Sequence, residues 1–278
     1  MPQDTHYHSE IDVYYRETPD FIAAGTHFHN VHQIIFVADG TVKVHIDNKT
    51  YAVTKNSVVF ISNLEKHSVH TLQAPYKRYV VSLAQGFGPM ILQDSPLLSI
   101  LIQRPESFSH AVTLSVSAAK SMTTVLDTMV REVTQKRPFW ALRLSSLVME
   151  LLIRLYRYSS TSFPTGSMDE SARIVTEAQK YIIENARDDI SLEQVAARHF
   201  ISKYHLSRIF RKITGYTFKD YLILHRLSLA KDLLIHTSRS VSEVCQLSGY
   251  GNVNHFIRIF KAHEGVTPYQ YRKAQRQS

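Results

Sequence analysis

The 278-residue chain has one cysteine, Cys245, so no disulfide can close within it, and a stapled secreted scaffold is excluded. Cys245 falls on the core-facing side of a helical pattern and reads as a small packing residue, not a nucleophile. No charge-free apolar run approaches the eighteen or so residues that span a bilayer. The opening MPQDTHYHSE has neither a basic n-region nor an apolar h-region. The expected location is therefore the cytoplasm, with no membrane partner. Phosphate-loop chemistry is missing too, since no helix-opening Lys-Ser/Thr follows Gly86 and Gly88. No separate acid–base constellation stands out, so the chain reads as a non-enzyme without a cofactor.

What is present suits a globular protein of two domains: 44% apolar and 20% charged residues over a length that can bury two cores. The net charge is +8, and it is unevenly spread. After Asp169 there are seventeen Lys and Arg against ten Asp and Glu; before Glu170 there are fifteen against fourteen. A positive field concentrated in the last third is what phosphate neutralisation requires.

That last third contains one pattern twice. A shift of fifty residues puts Arg208 on Arg258, Ile209 on Ile259, Phe210 on Phe260, Gly215 on Gly265, Thr217 on Thr267 and Tyr221 on Tyr271. The segment before it shifts by forty-nine: Ser191 meets Ser240, Val195 meets Val244, and Ala196 meets Cys245. The one-residue difference must lie in a turn, so each copy reads helix, turn, helix. Ser191 with Gln194, and Ser240 with Glu243, are capping-box openings. In SKYHLSRIFRKI the stripe Leu206, Ile209, Phe210 and Ile213 is buried, and Lys203, Tyr204, Ser207, Arg208 and Arg211 face outward. In NVNHFIRIFKAH the outward set is Asn252, Val253, Asn254, His255, Ile257, Arg258 and Lys261. Arg, Asn and Ser can pair with base edges or phosphates, and apolar Val253 and Ile257 can meet a thymine methyl. The competing reading is an ordinary solvated face of a helical bundle.

These residues resemble the DNA-binding domain of the AraC/XylS transcription regulators. The match rests on Gly249-Tyr250, Asn254-His255-Phe256, Arg258, Phe260-Lys261, Gly265, Thr267-Pro268 and Tyr271-Arg272. Ser202, Leu206, Phe210, Gly215, Phe218, Tyr221, Arg226, Ala230 and Leu233-Leu234 supply the first half. Phe200 departs from it where a small turn residue is usual, and Cys245 where Ala is usual. Of the outward residues, Tyr204, Ser207, Arg208, Val253, Asn254 and Arg258 are the expected base contacts. Ser202, Lys203, Arg211, Asn252, His255 and Lys261 are the expected phosphate contacts. A connecting helix over about 218–235 would be roughly 27 Å long. It would hold the two recognition helices about one DNA turn apart.

The first part of the chain reads as strands. HQIIFVADG, TVKVHID, KTYAV and SVVFIS are short β-branched and aromatic runs, broken by Asp39-Gly40 and Asp47-Asn48, which signal hairpin turns. A small barrel or sandwich is expected, with a ligand at its mouth. His27, His29 and His32 precede three strands, and His67 and His70 follow. HFHNVHQ…ADG with the later His67 resembles the cupin module that often precedes this DNA-binding domain, with Asn56 in place of a usual turn glycine. The resemblance places an effector pocket at His27, His29, Gln33 and His67. A metal there is weakly supported, because the Gln33 amide stands where a carboxylate would be. Two apolar stripes follow, Met122 to Val133 and, beyond Pro138, Leu144 to Leu155. By resemblance, the helices over 115–156 are a homodimer interface. Residues 159–167, SSTSFPTGS, read as a flexible linker.

The expected fold is therefore α+β in two domains. A cupin-like sensing domain over 1–158 and a linker over 159–169 precede an all-α domain over 170–278 with two helix-turn-helix units. The expected function is an effector-responsive transcription regulator whose partners are double-stranded DNA, a small molecule and RNA polymerase. The rival readings are a cupin metalloenzyme with an accessory DNA module, and a ligand-independent regulator whose barrel is a scaffold.

Overall fold

The computed structural model describes residues 11–23, 25–29, 31–84, 87, 97, 100–101, 108–160, 163 and 170–276. The opening decapeptide, Gly86, Gly88 and most of the expected linker lie outside the described residues. The chain forms two compact units, Met1–Asp169 and Glu170–Ser278.

Among the described residues, the first unit has six antiparallel strands: β1 (Ile11–Thr18), β2 (Val31–Ile46), β3 (Lys49–Thr54), β4 (Ser57–Ile61), β5 (His67–Ala84) and β6 (Ala111–Thr113). The strand order is β1-β5-β2-β4-β6, and β3 also pairs with β2. The expected hairpin at Asp39-Gly40 does not form. Those residues lie inside the sixteen-residue β2, where the register against β5 shifts between Val37 and Val42. The partner strand is eighteen residues long and carries the ladder past the irregularity. Gly40 then serves as a bulge, with φ of 88° and no room for a side chain, since a Cβ there would lie 2.5 Å from the Pro75 carbonyl oxygen. Asp47-Asn48 does make the β2–β3 turn, with Asp47 at φ 47°. Asn56 takes φ of 65° in the β3–β4 turn. Asn is the non-glycine residue that best tolerates this region, so the missing turn glycine has a substitute.

The sheet is buried on both sides. Ile34, Phe36, Phe60, Val81 and Leu83 pack toward two helices, α1 (Val116–Gln135) and α2 (Trp140–Tyr158). Ile35, Val37, Val44, Val59 and Val80 form a second core on the opposite face. This is why β4 is buried at every position and, after Ser57, apolar without alternation. Ser115 caps α1, accepting from the Ala118 N–H at 3.2 Å. The Tyr79 hydroxyl donates to Asp127 at 2.6 Å, pinning α1 to the sheet. Phe163, inside the stretch expected to be a linker, is buried edge-to-face on Phe60 at 5.3 Å between ring centroids. A large apolar ring there finds the core instead of solvent.

The second unit is all helical: α3 (Glu170–Asn185), α4 (Leu192–Arg198), α5 (Lys203–Thr214), α6 (Phe218–His236), α7 (Val241–Leu247), α8 (Val253–Glu264) and α9 (Pro268–Arg276). Both expected capping boxes are formed at Ser191 and Ser240. Gly215 and Gly265 end α5 and α8 in the left-handed conformation, at φ 79° and 75°. Leu206 and Phe210 anchor the first helix-turn-helix, and Phe256 and Phe260 the second.

Candidate nucleic-acid interface and effector site

Helices α5 and α8 each start on a side-chain cap. Ser202 Oγ accepts the His205 N–H at 3.2 Å, and Asn252 Oδ1 accepts the His255 N–H at 2.9 Å. Both caps use only acceptor capacity, so the Ser202 hydroxyl and Asn252 amide keep donors suited to a phosphate. On α5, Lys203, Tyr204, Ser207, Arg208 and Arg211 are all exposed. On α8, Asn254, His255, Arg258 and Lys261 are exposed, as is Asn252 just before it, and Val253 and Ile257 are half-buried. Lys203 is not an unengaged cation: its ammonium meets Glu193 at 2.8 Å. Ser207 of α5 and His255 of α8 line one cleft of about 630 Å3, walled by Phe218 and Lys219 of α6 and by Tyr250. The two helices therefore present part of their outward faces to a common space.

Two arginines in the quoted motif serve the scaffold. Arg226 donates to the carbonyls of Ala186 at 2.7 Å and Asp188 at 2.8 Å, and Arg272 donates to that of Leu234 at 3.0 Å. Gly249, in the second turn, has φ of 83°, and a Cβ would lie 2.6 Å from the Ala186 carbonyl oxygen. Its counterpart Phe200 also has positive φ, 55°, but its ring is 98% exposed. The first turn thus accepts a side chain only because it points into solvent. His205 was not among the expected contacts, although the fifty-residue shift maps it onto His255. Arg208 donates from Nη2 to His205 Nδ1 at 3.3 Å, and Arg258 donates in the same way to His255 Nδ1 at 3.2 Å.

In the first unit the three expected pocket histidines come together. His27 and His67 exchange backbone hydrogen bonds of 2.9 Å, and their rings are 4.3 Å apart. His29 lies 4.8 Å from His67 and 6.2 Å from His27. Each Nδ1 faces a backbone carbonyl: Gly25 for His27, Val31 for His29 and Glu65 for His67. A carbonyl only accepts, so each Nδ1 carries a proton and Nε2 is the ring atom left to face a ligand in His29. His29 Nε2 is buried without a partner. Burial, then the neighbouring His67 and His27, push the His29 pKa down to about 3 and hold it neutral. The Gln33 amide donates to Ser82 Oγ at 3.3 Å. Among the described residues, no group of three or more His, Cys, Asp or Glu side chains is arranged to hold a metal ion. With an amide in the fourth position as well, the residues do not fit a cupin metal centre.

A second buried network escaped the sequence reading. Glu65 accepts from the Ser62 N–H at 2.6 Å and meets His110 Nε2 at 3.2 Å. The other His110 nitrogen lies 3.0 Å from the Tyr51 hydroxyl. Its members are scattered over sixty positions, and no local pattern joins them.

Comparison with known proteins follows the same division. A family model described as an AraC-like ligand binding domain matches residues 9–152, and one described as a helix-turn-helix domain matches residues 195–274. The regulatory protein PocR of Salmonella typhimurium is 31% identical over 96 residues. That is 34% of this chain, which spans about a third of PocR's length, 32%. The transcriptional activator RhaS of an Enterobacter species is 25% identical over 250 residues, covering 89% of this chain and 87% of RhaS. Apo ToxT from Vibrio cholerae, at 14% identity, superposes with a TM-score of 0.61 over 94% of this chain and 96% of its own, a likeness of fold. Among the described residues, no helix is long and apolar enough to cross a membrane.

Proposed function

We propose that this chain, which belongs to the AraC-like family of ligand-binding, helix-turn-helix transcription regulators, is a sequence-specific DNA-binding regulator governed by a small molecule in its first unit. The observation that carries the reading is the doubled helix-turn-helix, whose exposed α5 and α8 faces offer Arg, Asn and Ser and share one cleft. Tyr204, Ser207, Arg208, Val253, Asn254 and Arg258 read bases. Ser202, Lys203, Arg211, Asn252, His255 and Lys261 hold phosphates.

The effector site is the His27, His29 and His67 cluster with Gln33. The His29 Nε2 lone pair, buried and unpartnered, calls for a ligand that brings an N–H or O–H donor, since an unfilled buried acceptor is unfavourable. Ligand binding shifts the population that holds the DNA-binding units in a productive arrangement. The protein acts by binding, without turnover, and activates through RNA polymerase, as the family resemblance implies. It pairs as a homodimer through α2, where Leu142 and Met149 are exposed seven residues apart on one helical face.

Selection of bound duplexes from a randomised DNA library tests the reading. The wild-type protein enriches a defined motif, and Arg208→Ala weakens binding to it by about 1–3 kcal/mol with random duplex unaffected. Failure of the wild type to enrich any motif would overturn the regulator reading. An equal loss on both DNAs would make Arg208 a phosphate contact.

A further inference from the structure

The same side-chain pair occurs on both presumed recognition helices, at positions related by the fifty-residue shift. On α5 the guanidinium of Arg208 bonds His205 three residues before it; on α8 Arg258 bonds His255. Residues three apart on a helix are surface neighbours, so the pair needs no distortion. A guanidinium has only donors. Each imidazole must therefore accept at Nδ1 and carry its proton on Nε2. The histidine backbone is itself fixed, because its N–H is the one taken by the Ser202 or Asn252 cap.

We infer that His205 and His255 are positioning residues that draw Arg208 and Arg258 toward the N-terminal end of each helix and hold them for base reading. The inference rests on the DNA-binding reading above. In helix-turn-helix proteins the N-terminal residues of the recognition helix meet the base edges. A long arginine left to itself samples many rotamers, and ordering it on binding subtracts from affinity. A neutral acceptor orients the side chain without quenching its charge. The contrast with Lys203 is direct, since its partner is the carboxylate of Glu193. Each guanidinium keeps further N–H groups, so a bidentate contact to guanine O6 and N7 stays available. His255 then contributes to sequence discrimination through Arg258, beyond any contact of its own with a phosphate.

The experiment measures full-length protein on two duplexes, one carrying the motif selected by the wild type and one of random sequence. The variants are His255→Ala, His205→Ala and His255→Gln, whose amide oxygen restores an acceptor. His255→Ala and His205→Ala are each expected to lower the specific-to-random affinity ratio by about fivefold, part of what a bidentate arginine contributes. Binding to random duplex should hold steady in His205→Ala and fall only slightly in His255→Ala, which also loses a phosphate contact; the thermal midpoint should hold steady in both, and His255→Gln should recover most of the ratio. A ratio unchanged in both alanine variants overturns the inference, as does an equal loss on both duplexes, which would make the histidines phosphate donors. Failure of His255→Gln to recover the ratio also counts against it. A wild type with no preference between the duplexes would instead sink the regulator reading itself.

Discussion

At the scale of single residues, the two copies of the repeat differ most where backbone geometry is least forgiving. Gly249 and Phe200 occupy matching turn positions, and both have positive φ. Glycine is required at the first because the Ala186 carbonyl oxygen leaves no space for a Cβ. Phe200 has no such neighbour to avoid, yet a bulky L-residue in the left-handed region is strained by roughly 1–2 kcal/mol. Its 98% exposed ring gains little from burial in return. Phe200→Gly or Phe200→Asn is therefore expected to stabilise the protein by about 0.5–1 kcal/mol in denaturant unfolding. A loss of stability would show that the ring makes a contact in solution that its exposure conceals.

At the scale of elements, legibility followed distance along the chain. Caps, glycine terminators and helical stripes depend on neighbours within a few residues, and Ser191, Ser240, Gly215 and Gly265 all behave as their patterns imply. Asp39-Gly40 carries the same local signal as a hairpin, but the long partner strand β5 turns it into a bulge. The histidine cluster was readable because a family resemblance supplied its spacing. Glu65, His110 and Tyr51 had no such guide. The ion pair between Lys231 of α6 and Glu264 of α8 is another long-range product, 3.2 Å apart with side chains 9% and 10% exposed. Burial lowers the Lys231 pKa, and Glu264 opposes that shift. Glu264→Ala would remove the carboxylate paired with a buried cation and should destabilise by about 3 kcal/mol. Replacing both residues with apolar ones of similar size should be close to neutral. A small effect of Glu264→Ala alone would mean that water reaches Lys231 freely.

At the scale of the whole molecule, nearly all of the net positive charge lies in the second unit, so the response to salt should originate there. Of the six proposed phosphate contacts, only Lys203, Arg211 and Lys261 are permanently cationic. Ser202, Asn252 and His255, whose Nδ1 accepts from Arg258, donate hydrogen bonds without displacing counterions. Counterion release, at roughly −0.9 per neutralised phosphate, then gives a slope of log affinity against log salt of about −2 to −3. Arg211→Ala and Lys261→Ala should each reduce the steepness by about one. Lys203→Ala should reduce it by less, because Glu193 already neutralises that ammonium in the free protein at 2.8 Å. Glu193→Gln should do the reverse, steepening the slope as Lys203 is released toward the phosphates. Titrating salt with these four variants separates charge that meets DNA from charge that only surrounds it. If the wild-type slope stayed near zero while binding remained tight, phosphate neutralisation could not be what the basic half of the chain is for.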